Sequence, residues 1–267
     1  MTGQRGGGYN RGVDTIQTRR WLVENLRLLW SGLNHLLWPA VCINCAESIG
    51  EADGDLCRKC WDELLESTGG DYCRRCGRDV GRYGIVDGAC GQCMGREAYL
   101  DRIARAGVYS ASLQTMTLGF KRGRTELDRV LGFLVRSALE GGAFAGRIEL
   151  FVPVPLHWTR RLWRGYNQSL VLIRRLRVPR ARVSTELVRM RRTKMQPAMG
   201  SEAKRRANVA GAFAVRKGHP FSGKAVCLVD DIKTTGATLD ECARVLKEAG
   251  AARVYALVLA VAGQSVS

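Results

Sequence analysis

The 267-residue sequence contains no run of eighteen apolar residues, which argues against a transmembrane helix. Nothing at its start resembles a signal peptide, so a cytoplasmic chain with reduced cysteines is expected. Acidic residues are scarce: 25 Asp and Glu face 42 Lys and Arg, for a net charge of +17. That imbalance points to polyanionic ligands, either phosphate-rich small molecules or nucleic acid. No motif of known geometry for reading DNA or RNA is present. A Walker loop is missing too. Gly218 to Lys224 (GHPFSGK) is followed by Ala225 where Ser or Thr is required, and it precedes a strand instead of following one. Internal repetition is limited to paired cysteines. What the chain does have is 46% hydrophobic residues, enough for one good-sized core plus a metal-held appendage.

Eight of the ten cysteines form four Cys-x-x-Cys knuckles: Cys42/Cys45, Cys57/Cys60, Cys73/Cys76 and Cys90/Cys93. A two-residue gap lets both thiolates turn toward one ion, and two such pairs complete a tetrahedral zinc site. The simplest arrangement is two consecutive zinc ribbons, each built from adjacent knuckles; crossed pairing, or one vacant site, is the alternative. A disulfide scaffold would need an oxidising compartment. The segment between the knuckles is rich in glycine and poor in large apolar residues, so metal binding, at about 10 kcal/mol per site, would decide its folding. Full thiolate ligation leaves no open position for water, which makes the expected role structural. Cys227 and Cys242 fall in an apolar strand and on an apolar helix face, and are expected in the core.

Val229 to Thr238 (VDDIKTTGAT) closes an apolar run and opens a helix. Lys224 to Val229 reads as a strand buried on both faces. After the turn, Cys242, Val245, Leu246 and Ala249 mark one helix face, with Thr238 and Glu241 as a capping box and Gly250 as the stop. Val254 to Ala260 completes a βαβ unit. Small residues at Thr234, Thr235, Gly236, Ala237 and Thr238 allow close approach of backbone N–H groups to an anion at a helix N-terminus. Asp230 and Asp231 could accept hydrogen bonds from sugar hydroxyls beside it. The combination suggests a phosphorylated ribose at the carboxyl edge of a parallel sheet. The plainer alternative is an ordinary capped turn.

A further strand, Glu149 to Pro155, precedes a segment carrying Arg160, Arg161 and Arg164, whose guanidinium forks could hold pyrophosphate. A basic helix start facing solvent is the alternative, and His157 beside it is expected to be structural. From Arg174 to Arg206 twelve Arg or Lys face two Glu, ten of the seventeen net charges. This stretch contains an expected strand, Arg182 to Val188, an expected mobile loop, Thr193 to Gly200, and a helical Ser201 to Arg206. A lid closing over a polyanion is one reading.

VDDIKTTGAT resembles the type I phosphoribosyltransferase signature. The resemblance implies that Asp230 and Asp231 hold the ribose 2′- and 3′-hydroxyls and that Thr234 through Thr238 wrap the 5-phosphate. Lys233 departs from the pattern, standing where an apolar residue is usual; it could flank the phosphate, flank a base, or face solvent. The collinear set PVPL at Pro153, FKRGR at Phe120, RGYNQ at Arg164, Gln196, RRANVAGAF at Arg205 and the knuckles after Pro39 resembles the ComF family, over about Pro39 to Ala260. That resemblance implies an α/β fold: a type I phosphoribosyltransferase-like parallel sheet flanked by helices, with a small N-terminal zinc-ribbon module of four-cysteine sites. It also implies structural zinc, magnesium with phosphoribosyl pyrophosphate, and a link to competence and DNA uptake. Arg205 joins Arg160, Arg161 and Arg164 as a pyrophosphate candidate.

The expected organisation is a Gly-rich disordered start and amphipathic helix (1–38), a double zinc ribbon (39–97) and a phosphoribosyltransferase-like domain (98–267). The apolar face of Arg19 to Trp38 would pack on the zinc module or core, with membrane-surface or partner binding as the alternative. Three functions follow: transfer of phosphoribose with Asp230 and Asp231 catalytic, phosphoribosyl binding without turnover, or handling of single-stranded DNA, for which Trp61, Trp158 and Trp163 lie near basic residues.

Overall fold

A computed structural model describes residues 40–50, 54–81, 83–86, 89–176, 178–191, 193 and 202–262, with backbone alone at 160, 161, 163 and 202. The Gly-rich start, the face of Arg19 to Trp38 and nearly all of the Thr193 to Gly200 loop lie outside the described residues. The chain divides into two compact units at Cys57/Arg58.

In the smaller unit the first knuckle is a tight turn. Cys42 N–H donates to Glu47 O at 2.7 Å and Ala46 N–H to Cys42 O at 2.9 Å. The larger unit opens with helix α1 (Arg58–Thr68) and then repeats that turn. Cys73 N–H donates to Arg78 O at 2.9 Å and Gly77 N–H to Cys73 O at 2.7 Å. Ala46 and Gly77 hold the same place in the two turns, with φ of 62° and 77°. Strands β1 (Ile85–Val86) and β2 (Ala89–Cys90) form a small antiparallel pair that presents the fourth knuckle.

The remainder alternates strands and helices. β3 (Arg102–Val108) is followed by α2 (Ala111–Lys121) and α3 (Asp128–Glu140), then by β4 (Leu150–Pro153), α4 (Trp158–Arg164) and α5 (Gln168–Arg175). Short strands β5 (Arg182–Val183) and β6 (Leu187–Arg189) precede α6 (Glu202–Val209) and β7 (Phe213–Val215). The chain then runs through β8 (Ala225–Lys233), α7 (Ala237–Glu248) and β9 (Arg253–Val261). Five strands make one parallel sheet in the order β3–β9–β8–β4–β5, while β6 and β7 pair antiparallel apart from it. Burial on both faces explains the continuous apolar runs of β8 and β9.

Three local expectations are corrected. The single strand over Arg182 to Val188 is two, because Arg182 and Val183 pair with β4 while Leu187 to Arg189 pair with β7. Strand β8 does not stop at Val229: β9 offers Val258, Ala260 and Val261 to Asp230, Ile232 and Lys233, so the ladder continues through the acidic pair. The Thr238–Glu241 capping box does not form. Gly236 is the N-cap residue of α7, and the Glu241 carboxylate instead accepts from Gly211 N–H at 2.7 Å and pairs with Arg244 at 2.8 Å.

Strands β4 and β8 are neighbours, but the chain leaves β4 toward β5 on one side and leaves β8 toward β9 on the other. Such a reversal opens a crevice at the carboxyl ends of the two strands, where ligands of open α/β sheets bind. The side of the sheet by β3 is closed by α1. A Cβ on Gly107 would stand 2.5 Å from Ser67 O, so the absence of a side chain lets the end of α1 lie directly on the strand.

Candidate functional site

Both cysteine groups assemble from adjacent knuckles: Cys42, Cys45, Cys57 and Cys60 in one, and Cys73, Cys76, Cys90 and Cys93 in the other, with all four sulfurs of each within 4.8 Å. Individual separations are 3.6 Å for Cys45–Cys57, 3.7 Å for Cys76–Cys90 and 3.9 Å for Cys73–Cys93. Four thiolates at about 2.3 Å from a tetrahedral zinc must lie about 3.8 Å apart, whereas a disulfide needs about 2.05 Å. The sulfurs therefore fit structural zinc and do not fit disulfides. Backbone N–H groups support the thiolates, Asn44 N–H reaching Cys42 Sγ and Cys90 N–H reaching Cys73 Sγ, each at 3.4 Å. Burial pushes the Cys42 thiol up, but the backbone N–H groups of Cys45, Cys57 and Asn44 outweigh it and hold the group at about 6. Cys227 and Cys242 are fully buried, as core residues should be.

The acidic pair occupies the carboxyl end of β8. Because both residues are in a strand, their side chains leave on opposite faces of the sheet. Asp231 meets Lys121 from the last turn of α2, with Nζ 3.1 Å from Oδ2, and its other oxygen accepts from Ile232 N–H at 2.6 Å. Tyr109 lies close enough for the Asp231 charge, after burial, to raise its phenol. Asp230 accepts from Asp231 N–H at 2.9 Å and faces Arg189 and Cys242. Burial, and then the neighbouring Asp231 charge, push its carboxyl up to about 7.

The turn that follows is shaped for close approach. Gly236 has φ of 86°, a left-handed value that a side chain would strain, and it begins α7. Thr235 Oγ1 accepts from Ala237 N–H at 3.5 Å. Lys233 does not face solvent. It is 7% exposed, and its stem crosses the turn so closely that a Cβ on Gly236 would stand 2.8 Å from Lys233 Cε.

Arg160, Arg161 and Arg164 lie in helix α4, not in a loop, and Arg205 lies in α6. Arg164 donates to Gln168 Oε1 at 3.3 Å. Among the described residues, Lys121 and Arg189 are cations that act on Asp230, and neither is among the four pyrophosphate candidates. Arg189 is held over the Phe213 ring at 5.1 Å and donates to Thr193 Oγ1. No local signal marks it, since its relation to Asp230 runs through the β6–β7 pair. His157 is structural. Thr159 N–H approaches its Nδ1 at 3.4 Å and the Thr159 hydroxyl at 2.8 Å, which caps the start of α4.

RGYNQ acts as a brace for the crevice. Tyr166 O–H donates to Phe120 O, the Asn167 side chain donates to Val154 O at 3.3 Å, and Asn167 Oδ1 caps α5 through Ser169 N–H at 3.0 Å. These bonds tie the end of α2, which carries Lys121, to the end of β4. Beside them opens a cleft of about 520 Å³ that includes Pro155, Trp158, Tyr166, Arg189 and Arg216.

Comparison with known proteins gives a consistent result. A double zinc ribbon domain model matches residues 33–94, and a phosphoribosyl transferase domain model matches residues 169–266. Competence protein F of Haemophilus influenzae is 31% identical over 229 residues, spanning 82% of this chain and 96% of that protein. DNA utilization protein YhgH of Salmonella typhi is 28% identical over 225 residues, 81% of this chain and 94% of its own. Among solved structures, a hypoxanthine phosphoribosyltransferase from Staphylococcus aureus aligns over 49% of this chain and 60% of its own, at 16% identity and a TM-score of 0.31, too slight a likeness to carry an argument.

Proposed function

The chain belongs to the ComF family, and we propose that its larger unit binds phosphoribosyl pyrophosphate with magnesium at the carboxyl end of β8, in the service of DNA uptake or utilisation. One observation carries this reading: two adjacent carboxylates at the end of β8 lead directly into a hydroxyl-rich, left-handed turn and a helix N-terminus, beside the point where the winding of the sheet reverses. Asp230 and Asp231 accept the ribose 2′- and 3′-hydroxyls and stabilise positive charge as it develops on the sugar. Thr234 through Thr238 receive the 5-phosphate. Arg160, Arg161, Arg164 and Arg205 are the groups proposed for the pyrophosphate. Magnesium, a hard cation suited to carboxylate oxygens, would supply neutralisation of the departing pyrophosphate.

The test is a binding titration of phosphoribosyl pyrophosphate with magnesium, wild type against Asp230→Asn/Asp231→Asn. Loss of binding in the double variant is expected, and undiminished affinity would refute the site. Release of pyrophosphate with a panel of bases then separates transfer from binding without turnover.

A second reading, single-stranded DNA handling, is favoured by the 520 Å³ cleft, where Trp158 is 64% exposed beside Arg174, Arg189 and Arg216. Its affinity for such DNA would fall with salt at a log–log slope of about −0.7 per phosphate neutralised. A flat salt response would exclude it.

A further inference from the structure

On the outer side of the phosphate turn lies a smaller cavity of about 90 Å³. The second cysteine group forms one wall, contributing Arg75 and Arg78 from its knuckle and Arg96 just beyond it; Arg206 of α6 and Lys233 complete a ring of five cations. Thr235 and Gly236 line it, but Asp230, Asp231, Thr234 and Thr238 do not. Against the five positive charges stand Glu97 and Asp240, and Asp240 is engaged by Tyr99 N–H at 3.0 Å.

Arg75 is held in place by neutral groups. Arg75 donates to Arg96 O at 2.8 Å and to Cys93 O at 3.4 Å, carbonyls that orient the guanidinium without cancelling its charge. Arg78 Nη1 is buried and, among the described residues, has no hydrogen-bond partner. A buried charged donor without an acceptor is costly. That penalty is relieved when an anion enters.

We propose that this cavity is an anion subsite that takes a single phosphoryl group, gripped jointly by the second zinc-ribbon turn and the outer face of the phosphate turn. Guanidinium forks match tetrahedral oxyanions in pairs. The size decides the class. At about 90 Å³, against about 300 Å³ or more for a typical small-molecule pocket, the space suits one phosphoryl group rather than a whole nucleoside. The group can be free phosphate or a phosphate of a nucleotide chain. The cavity shares Thr235 and Gly236 with the turn proposed for the 5-phosphate, but the acid pair that would hold the ribose is no part of its lining.

The test uses the zinc-loaded full chain and follows backbone amide resonances by NMR. Inorganic phosphate is added in one arm. A 5′-phosphorylated short oligodeoxynucleotide, with its unphosphorylated twin as reference, is added in the other. The amides of Gln92 and Ala98 report this cavity, and that of Thr238 reports the inner face of the turn. Movement of Gln92 and Ala98 in either arm is expected and identifies the source, while no movement in both overturns the proposal. Arg75→Gln/Arg78→Gln should weaken that response about tenfold or more, the worth of a charge-assisted bond. Should that variant lose zinc, Arg206→Gln on α6 gives the same readout, and an undiminished response in Arg206→Gln also overturns the proposal. Asp230→Asn/Asp231→Asn leaves the Gln92 and Ala98 response unchanged, so failure of the phosphoribosyl site is read separately.

Discussion

Lys121 and Asp231 stand 3.1 Å apart, joining the last turn of α2 to the carboxyl end of β8. The pair is partly buried, with side chains 21% and 13% exposed, so its charges interact more strongly than a surface ion pair would. A cation thus already faces the carboxylate proposed to hold ribose, and Tyr166 fixes its position through Phe120 O.

Lys121→Met removes a positive charge that holds Asp230 down, so Asp230 should ionise only at higher pH than in wild type. Since the ionised form accepts the sugar hydroxyl, binding of phosphoribosyl pyrophosphate should tighten as pH climbs through about 7. In Lys121→Met that midpoint should move upward. Titration calorimetry across about pH 6 to 8 measures it.

Stability carries the same signature. Asp230 titrates at about 7 in the folded chain and near 4 when unfolded, so between those values the native state retains a proton that the unfolded state has lost. This group's contribution to stability is therefore present below about pH 4 and falls as pH rises toward about 7. Asp230→Asn should flatten that part of the profile in denaturant melts. An unaltered slope would show that the proton resides elsewhere.

Arg105, buried within β3, links the second ribbon to the sheet. It donates to Gly77 O at 2.9 Å, pairs with Asp79 and lies over the Tyr72 ring at 4.7 Å. Arg105→Met leaves Asp79 and Gly77 O without this partner. Breaking such a pair costs about 3–5 kcal/mol, which for a unit of this size lowers Tm by about 6–20 °C. Arg105→Met/Asp79→Leu should recover most of the loss. A melting temperature unaffected by the single change would show that the ribbon is held by other contacts.

Gly236→Ala meets two obstacles, a left-handed backbone and the Lys233 stem. The backbone alone costs about 1–2 kcal/mol. Adding Lys233→Ala should relieve the clash and leave only that backbone cost. Thermal melts of the single and double variants separate the two contributions.

Zinc content is expected at two equivalents per chain in reduced protein, with ordered loss of structure on chelation, because eight thiolates otherwise crowd two small volumes. Fewer than one equivalent on metal analysis would break the ribbon assignment.

Much of the framework could be read in one dimension. The β8–turn–α7–β9 unit follows from apolar runs and helical spacing, and the zinc groups follow from two-residue gaps; both depend on neighbours along the chain. Where tertiary partners compete, the reading failed. Glu241 looked like a cap but is drawn to Gly211 N–H and Arg244, and β8 outran its apolar run because β9 extends the ladder. Arg189 and Lys121, cations that act on Asp230, lie about 40 and 110 residues away from it in sequence, and only folding brings them near.

Spacing and polarity thus set the chemistry available to this chain: thiolate pairs for zinc, an acidic pair and small hydroxylic residues for a sugar phosphate, and an excess of arginine for anions. Three-dimensional packing chose which of the many arginines and lysines face those groups. It also buried Lys233 across the turn and brought five cations to the lining of one small cavity. The reason is range. Covalent spacing governs geometry over a few residues, whereas charge and burial act through space between segments that only the sheet and its helices bring together.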